Sequence, residues 1–130
     1  MENQSHILIV DDNVGLCKTM AFILRRRGYT VSIARNGPEA IEKVQDSPFD
    51  MIFIDVKMPI MDGVETYRRI KKIRPDAVAM MMSAYAVEDL AQEALQEGAC
   101  GIVYKPMDIE KVVAIIEEAK EARQGADEPE

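Results

Sequence analysis

The chain has 130 residues, 48% of them hydrophobic, enough for one core and one domain of common size. Its 16 basic against 23 acidic residues leave a formal charge of −7, which argues against direct nucleic-acid binding because phosphates are repelled overall. The longest apolar runs, such as residues 77–82, fall far short of the about 20 residues that a membrane-spanning helix requires.

In chain order, strand-like runs at residues 7–10, 30–34, 51–54, 78–82 and 102–104 alternate with five segments of helical period. That alternation predicts an α/β fold with a parallel sheet and right-handed crossovers. The first helix is expected over residues 14–27, with Leu16, Met20, Ile23 and Leu24 facing the sheet and Gly28 as its stop. Asn36-Gly37-Pro38 opens the second helix, and Asp62-Gly63 opens the third, which Arg74-Pro75-Asp76 closes. The fourth is expected over residues 87–97 before Gly98, and the fifth over residues 109–123, capped by Asp108. Residues 124–130 are polar and acidic without apolar periodicity, so they read as a disordered tail behind a single domain, residues 1–123.

Four of the apolar runs stop at polar residues: Asp11 and Asp12 after the first, Asp55 after the third, Ser83 after the fourth and Lys105 after the fifth. An apolar run that ends this way reads as a buried parallel strand whose last residue emerges at its carboxyl end. With these runs side by side, three carboxylates, a hydroxyl and an ammonium group meet at the edge where open α/β proteins bind ligands.

Three carboxylates crowded together require a cation or a retained proton. An all-oxygen set of this kind favours Mg²⁺ or Mn²⁺, leaving coordination positions open for a phosphoryl group. Asp55 is the expected nucleophile, because it ends a central strand before the turn-rich residues 58–63 and a carboxylate can accept a phosphoryl group as an acyl phosphate. Phosphoryl transfer needs positive groups and donors against the equatorial oxygens. Lys105 and Ser83 are expected to supply them, with backbone N–H groups near Val56 and Ala84 adding others. The Lys105–Pro106 bond is one for which the cis form is accessible at modest cost.

Ile-Val-Asp-Asp at residues 9–12, Asp-Val-Lys-Met-Pro-Ile-Met-Asp-Gly at residues 55–63, Ser83-Ala84 and Lys105-Pro106 occur in order and at strand ends. Together they resemble the receiver domain of two-component response regulators, of the stand-alone chemotaxis-regulator type, over about residues 7–122. The resemblance implies a flavodoxin-like, doubly wound sheet of five strands in the order 2-1-3-4-5 with five helices. It implies that Asp55 is the phosphoacceptor and that Asp12 and Asp55 are side-chain ligands of Mg²⁺. Asp11 then contributes mainly through metal-bound water, the Lys57 backbone carbonyl is a further ligand, and Ser83 and Lys105 hold the phosphoryl oxygens. The implied donor is a sensor histidine kinase or a phosphotransfer protein, and slow hydrolysis follows. Such a domain is a cytoplasmic signalling switch rather than a metabolic enzyme, a monomer or a phosphorylation-dependent dimer that acts on a downstream protein by direct contact. In the family an aromatic side chain commonly sits three residues before the lysine. Here that position is Ile102, and Tyr104 stands immediately before Lys105. Lys57 and Tyr85 occupy the positions two beyond the acceptor and the hydroxyl residue, where side-chain bulk tunes attack by water.

Two readings from other classes compete. A Mg²⁺-dependent aspartyl-phosphate phosphatase of the haloacid-dehalogenase type places a second acid two residues after the nucleophile, where this chain has Lys57. A phosphorylation-independent interaction module would use the fold only as a scaffold. Taken alone, Asp11 and Asp12 read as a helix cap, Asp55 as a strand-end turn former, Ser83 as a local backbone partner and Lys105 as a structural ion-pair partner. Their convergence favours the site. His6 reads as a surface residue, Cys17 and Cys100 as small buried hydrophobes without metal-type or paired spacing, and Met80, Met81 and Met82 as core filling. Arg25–Arg27 and the Arg68, Arg69, Lys71, Lys72, Arg74 set read as solvated helix faces, with docking to an acidic partner as the alternative.

Overall fold

The computed structural model of the chain describes residues 5–84 and 88–127, with side chains as far as residue 122. Five strands, β1 (His6–Val10), β2 (Thr30–Ala34), β3 (Met51–Asp55), β4 (Ala79–Ser83) and β5 (Gly101–Tyr104), alternate with α1 (Val14–Arg26), α2 (Gly37–Asp46), α3 (Gly63–Ile73), α4 (Glu88–Gln96) and α5 (Ile109–Asp127). The strands form one parallel sheet in the order β2-β1-β3-β4-β5. This is the doubly wound architecture expected from the sequence.

The period of two along each strand distributes the core between two faces. Leu8, Val10, Ile52, Ile54 and Met81 pack with Val44 of α2, Val64, Tyr67 and Ile70 of α3, and Ala91 and Ala94 of α4. Ile7, Ile9, Phe53 and Met82 pack on the other side with Cys17, Met20 and Leu24 of α1 and Val112 and Ile116 of α5. Burial on both faces explains why β3 is apolar up to its final residue. The Met80–Met82 run is buried core, as expected.

Helix starts are written locally. Asn13 Oδ1 accepts from the Leu16 N–H at 3.0 Å, Asn36 Oδ1 from the Glu39 N–H at 2.9 Å and Asp62 Oδ1 from the Glu65 N–H at 2.9 Å. Asp108 accepts from the Glu110 N–H at 3.0 Å at the start of α5. After α1, Gly28 takes φ +98°, a left-handed conformation that lets the Tyr29 N–H reach the Leu24 carbonyl.

Several boundaries move by a residue or two. β3 and β4 include Asp55 and Ser83, because a polar side chain does not stop the backbone from pairing: Asp55 lies opposite Met82, and Ser83 opposite Tyr104. The buried stripe of α1 is Cys17, Met20, Ala21 and Leu24, with Leu16 and Ile23 only half-buried at its margins. Helix α5 continues past Arg123 to Asp127, since each residue added to an existing helix gains a hydrogen bond without a new nucleation penalty. Residues 128–130 of the expected tail and Val87, the expected first residue of the fourth helix, lie outside the described residues. Among the described residues no helix is long and apolar enough to cross a membrane.

Phe53 is the largest side chain at 0% exposure on the central strand. Phe53→Ala is expected to lower the unfolding free energy by about 3–5 kcal/mol in urea denaturation, by lost transfer free energy and the cavity left behind.

Candidate functional site

Strand register assembles the site. Val10 lies opposite Ile54, so Asp11 and Asp55 are neighbours across β1 and β3. The Asp11 N–H continues the ladder to the Ala34 carbonyl at 3.1 Å, and the Lys105 N–H reaches the Ser83 carbonyl at 2.9 Å. Asp11, Asp55, Ser83 and Lys105 therefore stand in a row at the carboxyl ends of four strands, where the chain winds away from β1 in both directions.

Carboxylate oxygens of Asp11, Asp12 and Asp55 lie within 4.8 Å of one another. Asp11 is 0% and Asp55 7% exposed, whereas Asp12 faces solvent. Lys105 Nζ donates to Asp11 Oδ2 at 2.8 Å and stands 3.4 Å from Asp55 Oδ1. Burial, then the charge of Asp11, pushes the Asp55 carboxyl up to about 6 against the opposing pull of Lys105 and the Lys57 backbone N–H. Burial alone would lower the Lys105 ammonium, but the hydrogen bond to Asp11 and the charges of Asp11 and Asp55 outweigh it and raise its pKa. One ammonium does not balance three carboxylates, and two of the three have little access to water. The donor set is all oxygen and fits a hard divalent cation.

The surrounding backbone holds this arrangement still. The Asn13 N–H donates to Asp11 Oδ1 at 2.9 Å, and the Cys17 thiol donates to the Asp11 carbonyl at 3.3 Å. The α1 cap is Asn13, so Asp11 and Asp12 are left to the pocket instead of capping the helix. Burial, followed by the charge of Asp11, raises the Cys17 thiol to about 11, which fits the inert role expected of it. Cys100 departs from expectation: it is exposed rather than buried. Gly63 permits the close return of the chain. A Cβ there would lie 2.3 Å from the Asp55 carbonyl oxygen and 2.8 Å from Val56 Cα, so any other residue displaces the strand end.

Of the backbone groups expected near Val56, the Lys57 N–H faces Asp55, while the Val56 N–H itself pairs with the Met82 carbonyl at 3.0 Å. Ser83 is fully buried, and its hydroxyl donates to the Ala84 carbonyl at 2.7 Å. Lys105–Pro106 is cis. Tyr85 lies outside the described residues, and Lys57 is exposed. No local pattern signals that the Tyr104 hydroxyl donates to Glu88 Oε1 at 2.6 Å, a contact between residues 16 apart that only the packing of α4 on β5 creates.

Most of these basic residues have partners within the chain. Arg68 pairs with Glu65, Glu93 and Glu97, Arg69 pairs with Glu65, and Arg74 Nε donates to the Val44 carbonyl. Arg25 donates to the Val31 carbonyl, and Arg27 pairs with Glu110. His6 is half-buried rather than a surface residue, its ring 2.9 Å from Ser32 Oγ and tilted against Phe49.

Fold and site together define a doubly wound α/β domain with an acidic, lysine-bearing pocket at its topological switch point. Residues 7–117 match the response regulator receiver domain, and the chain belongs to that family. It is a phosphorylation-activated switch of the two-component class. The transcriptional regulatory protein ZraR of Klebsiella oxytoca is 40% identical over 116 residues, covering 89% of this chain but only 26% of that protein. The chain thus spans about a quarter of that curated relative. A CheY-like receiver domain protein from Methanospirillum hungatei JF-1 superposes with TM-score 0.82 at 29% identity, covering 92% of this chain and 99% of that one. A Burkholderia pseudomallei response regulator, solved with a phosphorylated aspartic acid, calcium ion and citrate, superposes with TM-score 0.80 at 28% identity, covering 95% and 74%.

The raised Asp55 pKa has a defined consequence for stability. Folded Asp55 retains a proton up to about pH 6, against 3.8 when unfolded, so its contribution is complete below pH 3.8 and is lost as pH rises through about 6. At pH 7 the ionised group is destabilising. In chelator-treated protein Asp55→Asn is expected to be more stable than the parent at pH 7 by roughly 1–3 kcal/mol, with the gain shrinking to nothing below about pH 4. Thermal or urea denaturation across that range measures it, and a variant no more stable than the parent at pH 7 contradicts the electrostatic account.

Proposed function

We propose that this chain accepts a phosphoryl group on Asp55 from the phosphohistidine of a sensor histidine kinase or phosphotransfer protein and signals by contact with a downstream protein. The supporting observation is the row of Asp11, Asp55 and Lys105, with all three carboxylates within 4.8 Å and the ammonium 2.8 Å from Asp11 and 3.4 Å from Asp55. An Asp55 carboxylate oxygen attacks phosphorus, the P–N bond breaks, and its electron pair leaves with the imidazole, which takes up a proton. Discharge is attack by water on the same phosphorus, which breaks the bond to Asp55, restores the carboxylate and releases inorganic phosphate. Asp11, Asp12, Asp55 and the Lys57 backbone carbonyl are the groups that would hold Mg²⁺ or Mn²⁺, and a divalent ion there offsets charge on the transferring oxygens.

Lys105 needs only to follow one oxygen from the carboxylate to the phosphoryl group. Ser83, on the adjacent strand end, donates to a second once its hydroxyl turns from Ala84. Both act on charge that develops during transfer, which is where a fixed donor accelerates a reaction. The domain turns over its own acyl phosphate slowly and is not a metabolic enzyme. The formal charge of −7 favours a protein target over nucleic acid, and the unpaired thiols Cys17 and Cys100 suit a cytoplasmic setting.

Incubation with Mg²⁺ and acetyl phosphate, followed by intact-mass measurement, is expected to give a single phosphoryl adduct on the parent and none on Asp55→Asn. Lys105→Met is expected to keep the fold and slow adduct formation on the order of a hundredfold, through loss of one charged donor. A parent that gains no adduct overturns the proposal.

A further inference from the structure

We infer that Tyr104 is a positioning residue for this phosphoryl transfer, holding the start of α4 against the strand end that carries Lys105 and thereby restraining the site in its resting arrangement. The inference rests on the function proposed above. The Tyr104 hydroxyl donates to Glu88 Oε1 at 2.6 Å, and Glu88 is the first residue of α4 and also accepts from Gln92. Tyr104 itself is fixed from behind. It lies opposite Ser83 across β4 and β5, it directly precedes Lys105, and the Lys105 N–H is bonded to the Ser83 carbonyl at 2.9 Å. One side chain thus joins the helix to the two strand ends whose polar groups serve the phosphoryl oxygens. The joined arrangement is a resting one. The Ser83 hydroxyl is committed to the Ala84 carbonyl, and Lys105 Nζ sits nearer Asp11 than Asp55. Both groups must turn toward Asp55 during transfer, and a contact made in the resting arrangement opposes that turn by its differential free energy.

The test is a double-mutant cycle with Tyr104→Phe and Glu88→Ala, read by Mg²⁺-dependent phosphorylation with acetyl phosphate and by amide hydrogen exchange of α4 in unphosphorylated protein. Tyr104→Phe removes only the hydroxyl. It is expected to raise the maximal phosphorylation rate about three- to tenfold, the worth of one such hydrogen bond, without changing half-saturation by acetyl phosphate. It is also expected to speed exchange in α4. In the Glu88→Ala background the same change is expected to have no further effect on either readout. An unchanged or slower rate, unchanged α4 exchange, or additive effects in the double variant overturn the inference. A parent protein that takes no phosphoryl group overturns the proposed function instead, and the exchange measurement then still decides whether Tyr104 holds α4.

Discussion

Asp11 and Asp55 end adjacent parallel strands, and the pairing that fixes those strands allows the carboxylates no retreat from each other. Each strand is hydrogen-bonded on both sides, and each is buried on both faces. The repulsion therefore cannot relax by moving backbone, and it adds to burial, the larger cause, in displacing the Asp55 pKa upward. Lys105 offsets part of it. The remaining negative charge is of the kind that a cation bound at this edge would offset.

Rigidity around the two carboxylates comes from small groups used sparingly. Cys17 is short enough to let α1 lie against β1 while its thiol donates to the Asp11 carbonyl. Gly63 lets the loop after β3 return across Asp55 at a separation no side chain would tolerate. The ion pairs of α3 and α4, by contrast, are solvent-exposed and contribute little individually to stability. They account for basic residues that would otherwise suggest an acidic partner.

The two sides of the site differ in character. On the β1 and β3 side, Asp11 and Asp55 are held by register, by Asn13 and by the Lys57 N–H. On the β4 and β5 side, Ser83 and Lys105 hold their positions through contacts that alternative partners can replace. A carboxylate fixed by register thus stands beside a hydroxyl and an ammonium group whose present partners other groups can replace. Ile102 packs at the margin of the core and does not present an aromatic ring to this surface, so Tyr104 provides the only aromatic link seen among the described residues between β5 and α4.

Alternation of apolar runs with helical periods was enough to define the class of fold, because burial on both faces of a parallel sheet leaves few other patterns for such strands. Asp11, Asp12, Asp55, Ser83 and Lys105 were legible for the same reason: a polar residue that closes a buried run can only emerge at the strand end. Boundaries were less legible, since backbone pairing ignores side-chain polarity and carries β3 through Asp55 and β4 through Ser83. Contacts across the fold were not legible at all. That the Val56 N–H is spent on Met82 depends on the register of β3 against β4, and that Tyr104 reaches Glu88 depends on how α4 packs beside β5. The sequence thus determined which groups meet, through the local periodicities of the chain. Only the tertiary structure decided their hydrogen-bond partners and protonation, because those depend on distances between segments that no local pattern encodes.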